Sequence, residues 1–259
     1  MLYIRYPSAG RWFALCQHAL TDQRNIVDHA SFKQLQAAAF AASERVSTHP
    51  FLLRAAAGQL SADEIRRWIC LAGRESRLFP RILEEMLRQL DTPEARAILG
   101  ESWAIVHQVL AENLDDENGN GDPEEAHFHH YLQLLPDAGL TLTDFESYIE
   151  RGGIAYALAL AAAVSSQSDI ALALAYMWLN ELLTGPIYGA MNRARHRWFP
   201  DMKEKFFVVH VEVDIEHTQA LEKAIAALPS KLLPSLRYGL ELAEAGMSAL
   251  LWEAGGLYG

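Results

Sequence analysis

At 259 residues the chain is long enough to bury one sizeable core, and its 51% hydrophobic and 21% charged content reads as globular rather than disordered. A net charge of −11 excludes a broad basic face and argues against nucleic acid as a partner. Two cysteines, Cys16 and Cys70, form neither a CxxC nor a thiolate cluster, so a reducing cytoplasm is the expected setting. The opening MLYIRYPSAGRWF shows no basic region followed by an apolar one, as a secretory signal would.

Helix formers dominate and alternating β-branched runs are nearly absent, which predicts an all-α chain. Helices are expected over residues 11–20, 29–46, 62–90, 92–115, 123–134, 142–149, 152–164, 169–192, 201–227 and 230–254. Ser61 with Glu64 reads as a capping box, and Thr92 before Pro93 as a second N-cap. Pro80 should kink the third of these helices after Phe79. Asn118-Gly-Asn-Gly-Asp122-Pro123 must break the chain between two helices, with Asp122 capping the next one. The apolar stretch from Ile154 to Leu183 is divided by Ser165-Ser-Gln-Ser-Asp169 into pieces read as too short to span a bilayer, so no membrane is expected. Phe206-Phe-Val-Val-His210 is strand-like in composition, but it leads into a helical pattern and reads as a buried helix start. No repeat or linker divides the chain, so residues 1–259 are expected to form one domain, with 1–28 as an N-terminal extension.

The chemistry concentrates in His210-Val-Glu-Val-Asp214-Ile-Glu-His217. Positions i, i+4 and i+7 fall within about 60° on one helix face. Val211, Val213 and Ile215 are apolar, and Glu212 and Glu216 point elsewhere. A stripe of His, Asp and His is what an imidazole/carboxylate site for iron or a similar divalent ion needs. A solvated polar face is the competing reading. Glu181 is the best further carboxylate, since it sits in a segment apolar nearly all round, where a charge is costly unless paired or metal-bound. It could instead mark the solvated edge of that helix beside Asn180. The acidic run Asn113-Leu-Asp-Asp-Glu117, followed after the glycine break by His127, His129 and His130, offers more ligands. His127 and His130 should share a helix face, with His129 opposite, and at least two of the three read as surface residues of that helix. Glu124-Glu-Ala-His127 also makes an ExxH, which keeps a ferritin-like bundle open as a second architecture.

The order Glu…His…Glu…HisxxxAspxxHis, with His49-Pro-Phe, Leu78-Phe-Pro80, Asn180-Glu-Leu-Leu-Thr-Gly185 and His210-xxx-Asp214-xx-His217, resembles the haem-oxygenase-like di-metal oxidases of CADD and UndA type. These are related in fold to TenA and PqqC, and the resemblance covers roughly residues 44–222. It implies a haem-oxygenase-like bundle of about seven core helices. It also implies a metal set of Glu117, His127, Glu181, His210, Asp214 and His217, with Glu117, Glu181 and Asp214 as candidate catalytic carboxylates. Glu124 or His130 are alternatives for Glu117 or His127. The implied cofactors are two Fe(II), or manganese or mixed iron and manganese, with O2. The implied reaction runs through a peroxo-diferric species to desaturation, C–C scission or N-oxygenation of a small amino-acid-like or carboxylic acid substrate. A small-molecule substrate, a second copy of the chain as a homodimer and an external reductant are the expected partners.

The departures narrow the field. Leu52 stands where CADD-type aminobenzoate synthases spend a tyrosine of their own chain, and arginines replace a needed lysine in Met191-Asn-Arg-Ala-Arg195. Tyr176 and Tyr188 lie near the expected site. A thiaminase needs a nucleophilic cysteine, whereas Cys70 reads as a buried small hydrophobe. A haem oxygenase would want a proximal histidine near the start, for which only His18 is available, and Gly152-Gly153 opens a helix rather than bending one. The alternative function is a metal-free TenA/PqqC-like member acting as a binding protein or cofactorless oxidase. One arginine among Arg74, Arg77, Arg81, Arg193, Arg195 and Arg197 could clamp a substrate carboxylate, although most of them read as surface ion-pair residues, and Trp68, Phe79, Tyr176 and Trp178 could line a pocket or simply be core.

Overall fold

The computed structural model describes residues 26–257, apart from the side chains of Glu212 and Val213. The helix expected over residues 11–20, with Cys16 and His18, lies outside the described residues. So does most of the expected extension, and the orientation of Glu212.

Twelve α-helices follow one another among the described residues: α1 His29–Ser47, α2 Pro50–Ala56, α3 Ala62–Leu90, α4 Pro93–Leu99, α5 Ser102–Glu117, α6 His127–Leu132, α7 Leu134–Asp137, α8 Leu142–Glu146, α9 Gly152–Ser166, α10 Ile170–Arg195, α11 Lys205–Ala226 and α12 Leu233–Ala254. Seven of them (α1, α3, α5, α9, α10, α11 and α12) have 15 residues or more and form the bundle. No strand occurs among the described residues beyond an isolated bridge between Ile26 and Pro229. Beside that bridge, Val27 N–H donates to Leu228 C=O at 2.9 Å, and Asp28 caps α1.

The local signals account for most boundaries. Ser61 and Glu64 form the reciprocal capping box, and Thr92 accepts from Ala95 N–H. Helix α3 runs unbroken from Ala62 to Leu90 with Pro80 inside it. The single helix expected over 92–115 is two, because Gly100 takes a φ of +56° that ends α4 after Leu99. Pro50–Ala56 is a helix that the sequence left unassigned; His49 caps it by accepting from Phe51 N–H.

Helix α10 is the axis of the bundle, packing on α11 and α12 along its length and also touching α1, α2, α3 and α9. At 26 residues and this apolarity it is long enough to cross a membrane, which corrects the expectation of shorter pieces. Of its most apolar window 72% is buried inside the protein, so its apolarity serves the core. Helix α5 packs on α3 and α11, and α6 on α3 and α11. This leaves a space between α3, α5, α6, α10 and α11 where side chains of all five helices meet.

Candidate metal centre

The middle of helix α11 has its polarity reversed, although Phe206 and Phe207 near its start and Leu221, Ala224 and Ile225 near its end are buried in the ordinary way. His210, Asp214 and His217 are buried, at 7%, 3% and 3% exposure, while Val211 and Ile215 on the outer face are 36% and 56% exposed. An amphipathic helix ordinarily turns its apolar residues inward, so the inversion requires a polar environment inside the bundle. Glu181 supplies part of it from α10 and is itself buried, at 4% exposure, which removes the reading of a solvated helix edge. One ligand atom each from Glu181, Asp214 and His217 lie within 4.8 Å of one another. His217 Nδ1 sits 3.7 Å from Glu181 Oε2 and 3.8 Å from Asp214 Oδ1.

A second group stands beside the first. His127 Nδ1 is 2.8 Å from Glu117 Oε1, both side chains are buried, and the His127 ring centroid lies 4.9 Å from that of His210. The loop joining these residues requires its glycine: Gly119 has a φ of +82°, and a Cβ there would fall 2.1 Å from Asp122 C=O. The predicted helix over 123–134 is accordingly broken into a 3-10 turn at Pro123–Glu125, α6 and α7. Glu124 therefore shares no helix with His127, which dissolves the ExxH spacing. Its side chain is 76% exposed and pairs with His129, itself 32% exposed, at 3.1 Å. His127 and His130 share a face as expected, and both are buried, which corrects the reading that at least two of the three histidines lie on the surface; His130 Nε2 faces Glu125 at 3.5 Å.

Two contacts outside the six residues set the imidazole orientations. His217 Nε2 donates to Asp116 Oδ2 at 3.1 Å, and His210 Nδ1 donates to Phe206 C=O at 2.7 Å. His217 Nδ1 and His210 Nε2 are thereby left facing the interior. Tyr188 stacks on the His210 ring, with centroids 4.5 Å apart and planes 19° from parallel.

Electrostatics follow from the burial. Burial opposes charge on His217, but Glu181, Asp116 and Asp214 outweigh it and push the imidazole up to about 10. Burial likewise works against protonated His127, and Glu117 still holds it above its ordinary value. His210, with no such partner, is pushed by burial down to about 4. Burial raises the carboxyl of Glu181, and burial together with Glu181 and Glu117 raises that of Asp214 well above the usual range.

The residues fit a metal ion. Glu181 Oε1, Asp214 Oδ2, His217 Nδ1 and His127 Nδ1 are buried without a hydrogen-bond partner among the described residues; the 2.8 Å contact of His127 with Glu117 lacks hydrogen-bond alignment. Four orphaned donor atoms of imidazole and carboxylate type, converging from α6, α10 and α11, are costly unless a cation shares them. Their chemistry suits iron, manganese or another ion of similar preference.

Against this centre lies a cavity of about 90 Å³, reached by Glu117, Glu181, His210 and Asp214 on one side and walled mainly by apolar groups. Trp68, Phe79 and Tyr176 line it as expected, whereas Trp178 is fully buried in the core. Among the described residues no arginine lines it. Arg74 donates to the carbonyls of Phe145, Glu146 and Tyr148, and Arg77 to Glu146. Arg195 is held by Asn192, Met202 and Glu204, and Arg197 by Gly58. Four of the six candidate arginines are thus held in structural bonds, and Arg81 and Arg193 are exposed.

The sequence reading missed Asp116 and Glu75. Asp116 was hidden in the run Asp115-Asp-Glu117, where neighbouring residues point to different faces. Glu75 was masked by Arg74 and Arg77, although it occupies the stripe Trp68, Ala72, Glu75, Phe79 and Ile82 that lines the cavity from α3.

The comparisons agree with this geometry. A family model described as iron-containing redox enzyme matches residues 104–239, more than half of the chain, so the chain belongs to that family. A TenA homolog from Pseudomonas syringae pv. tomato superposes with a TM-score of 0.73 at 15% identity, over 98% of this chain and 99% of its own. A CADD-like protein of unknown function from Nostoc punctiforme gives 0.65 at 16% identity, over 97% and 100%. A domain of unknown function with a heme oxygenase-like fold from Shewanella denitrificans gives 0.68 at 14% identity, over 87% and 92%. At such identities the structures define the fold alone, which is haem-oxygenase-like and not ferritin-like. No curated protein matches the sequence.

Proposed function

We propose that this member of the iron-containing redox family is a non-haem di-iron oxidase or oxygenase that uses O2 on a small organic substrate. Electrons would come from an external reductant. The observation that carries the reading is the set of six buried ligand-type side chains, four with orphaned donor atoms, of which Glu117, Glu181, His210 and Asp214 reach an apolar cavity. Their two groupings, Glu181–Asp214–His217 and Glu117–His127 beside His210, suit two ions better than one.

Iron, when bound, supplies the one-electron chemistry with O2 that no side chain offers. The chain's own work is positional. Asp116 and the Phe206 carbonyl fix which nitrogens of His217 and His210 face inward. Apolar walls from α3, α9, α10 and α12 keep the chamber dry, which protects reactive species from water. Among the described residues a thiaminase-like reaction finds no activated cysteine: burial pushes the Cys70 thiol up to about 11.

Anaerobic reconstitution with Fe(II) tests the proposal. Wild type should bind close to two equivalents, and admission of O2 should change the absorption spectrum of the loaded protein. His210→Ala and His217→Ala should each lose at least one equivalent. Full binding in both variants would remove the α11 stripe from the site, and no binding by wild type would favour a metal-free binding protein.

A further inference from the structure

One cavity-lining carboxylate has no role in the centre just described. Glu75 projects from α3 into the chamber, in register with Trp68, Ala72, Phe79 and Ile82. Among the described residues no hydrogen bond or ion pair engages its carboxylate, although Arg74 precedes it in sequence and turns away to the Phe145–Tyr148 backbone. Glu75 is half-buried on this wall, and the burial it has pushes its carboxyl up to about 7. Tyr176 and Tyr188 line the same chamber.

A lone carboxylate in an apolar chamber is costly unless something in its working state compensates it. The two candidates are a metal ion and a substrate cation. Glu75 belongs to neither grouping of ligand-type side chains, and the atoms found close together are those of Glu181, Asp214 and His217. Among the described residues the chamber offers no arginine or lysine to a substrate carboxylate, and the nitrogen-bearing side chains that line it are Trp68, Asn180 and His210. The polarity of the wall is thus set for a positively charged guest with an apolar body.

We propose that Glu75 is a substrate-anchoring residue, and that the chamber takes a compact aliphatic primary amine, bound as its ammonium against the Glu75 carboxylate. This rests on the cavity being the substrate chamber of the enzyme proposed above, and it narrows that enzyme's substrate from acids and amines to amines. The ammonium gains a charge-assisted hydrogen bond in a dry site that the Tyr176 and Tyr188 rings also line. A carboxylate guest would instead meet the Glu75 charge on this wall, with no arginine or lysine among the described lining residues to pair with it.

The test compares n-butylamine, 1-butanol and butyrate by calorimetry at pH 8, on Mn(II)-loaded and on metal-free protein. These probes share one apolar body and differ in head group. Wild type should bind the amine at least about tenfold more tightly than the alcohol, and butyrate no better than the alcohol. Glu75→Gln, which keeps shape and removes charge, should bring the amine close to the alcohol while leaving Mn(II) stoichiometry unchanged. Equal amine affinity in wild type and Glu75→Gln would overturn the proposal, as would a wild-type preference for butyrate, which needs no variant to fold. Loss of a Mn(II) equivalent in Glu75→Gln would also overturn it, by making Glu75 a ligand. If wild type binds no metal, the di-iron reading fails by itself, and the Glu75-dependent amine preference is still decided on the metal-free protein.

Discussion

His217 turns its two ring nitrogens to different tasks: Nε2 meets Asp116 Oδ2 at 3.1 Å, and Nδ1 faces Glu181 Oε2 at 3.7 Å. Asp116 thus stands behind a candidate ligand from a neighbouring helix, where it fixes ring orientation and raises basicity. Asp116→Ala should weaken Fe(II) or Mn(II) binding by about 10–100-fold without removing a ligand. Metal titration followed by calorimetry checks this, and wild-type affinity in the variant would reduce Asp116 to a surface partner.

Metal uptake should release protons. Without metal, His217 is held up to about 10 by its carboxylates and therefore carries a proton at neutral pH. A metal accepts only the neutral imidazole, so binding displaces that proton, and apparent affinity should rise about tenfold per pH unit for each proton released between pH 7 and 9. Titration in two buffers of different ionisation enthalpy counts the protons, and zero release would remove His217 from the ligand set. The same shift acts on folding. A folded-state value above the ordinary 6.5 gives the metal-free protein stability that is complete below 6.5 and is lost as pH rises through about 10.

Glu117 and Glu124 can be told apart. Glu117 is buried against His127 Nδ1 at 2.8 Å, whereas the Glu124 side chain is 76% exposed. Glu117→Ala should abolish O2-dependent oxidation of the Fe(II)-loaded protein, and Glu124→Ala should leave it largely intact. Stopped-flow absorption reads both, and the reverse result would shift the centre toward Glu124.

Much of this site was legible in the sequence because helical periodicity converts spacing into facing. His210, Asp214 and His217 had to share a face, and they do. Glu181 stood out because its flanking residues left no polar explanation for it. The break at Gly100 was not legible, since a glycine within a helical pattern marks a stop only when the backbone adopts positive φ. Nor was the fate of the arginines. Arg74 and Arg195 are candidate substrate clamps in sequence, and only the folded chain shows Arg74 bonded to carbonyls 71 to 74 residues away and Arg195 to the Met202 carbonyl just beyond its own helix. Glu75 was hidden for the converse reason, since its charge seemed accounted for by neighbours that point elsewhere.

Glu253, away from the centre, is a structural charge. It is 1% exposed, on α12, and accepts from Ile154 N–H at 2.7 Å, Arg151 N–H at 3.1 Å and Tyr148 O–H at 3.3 Å. It therefore caps the N-terminus of α9, which has no side-chain cap of its own. Glu253→Ala strands three donors and should cost about 2–4 kcal/mol in urea unfolding, with metal stoichiometry retained. A loss below about 0.5 kcal/mol would mean that water replaces the carboxylate freely.

Glu181 offers the most direct test of the centre. Its Oε1 is buried without a partner, and burial raises its carboxyl, with Glu117 adding to the rise. Asp214 is raised for the same reasons, so the two carboxylates oppose each other's charge when no cation lies between them. Glu181→Gln relieves that repulsion and keeps the side-chain volume, at the cost of one contact to His217. The metal-free variant should melt at or above the wild-type temperature. Metal should then stabilise it far less than wild type, because preferential binding to the folded state scales with affinity, giving about 2.7 kcal/mol when the metal is at 100 times its Kd. Melting curves with and without Mn(II) read both effects in one experiment. A metal-induced shift equal to that of wild type would leave Glu181 as a buried carboxylate without a metal role, and the two-ion centre would lose its middle ligand.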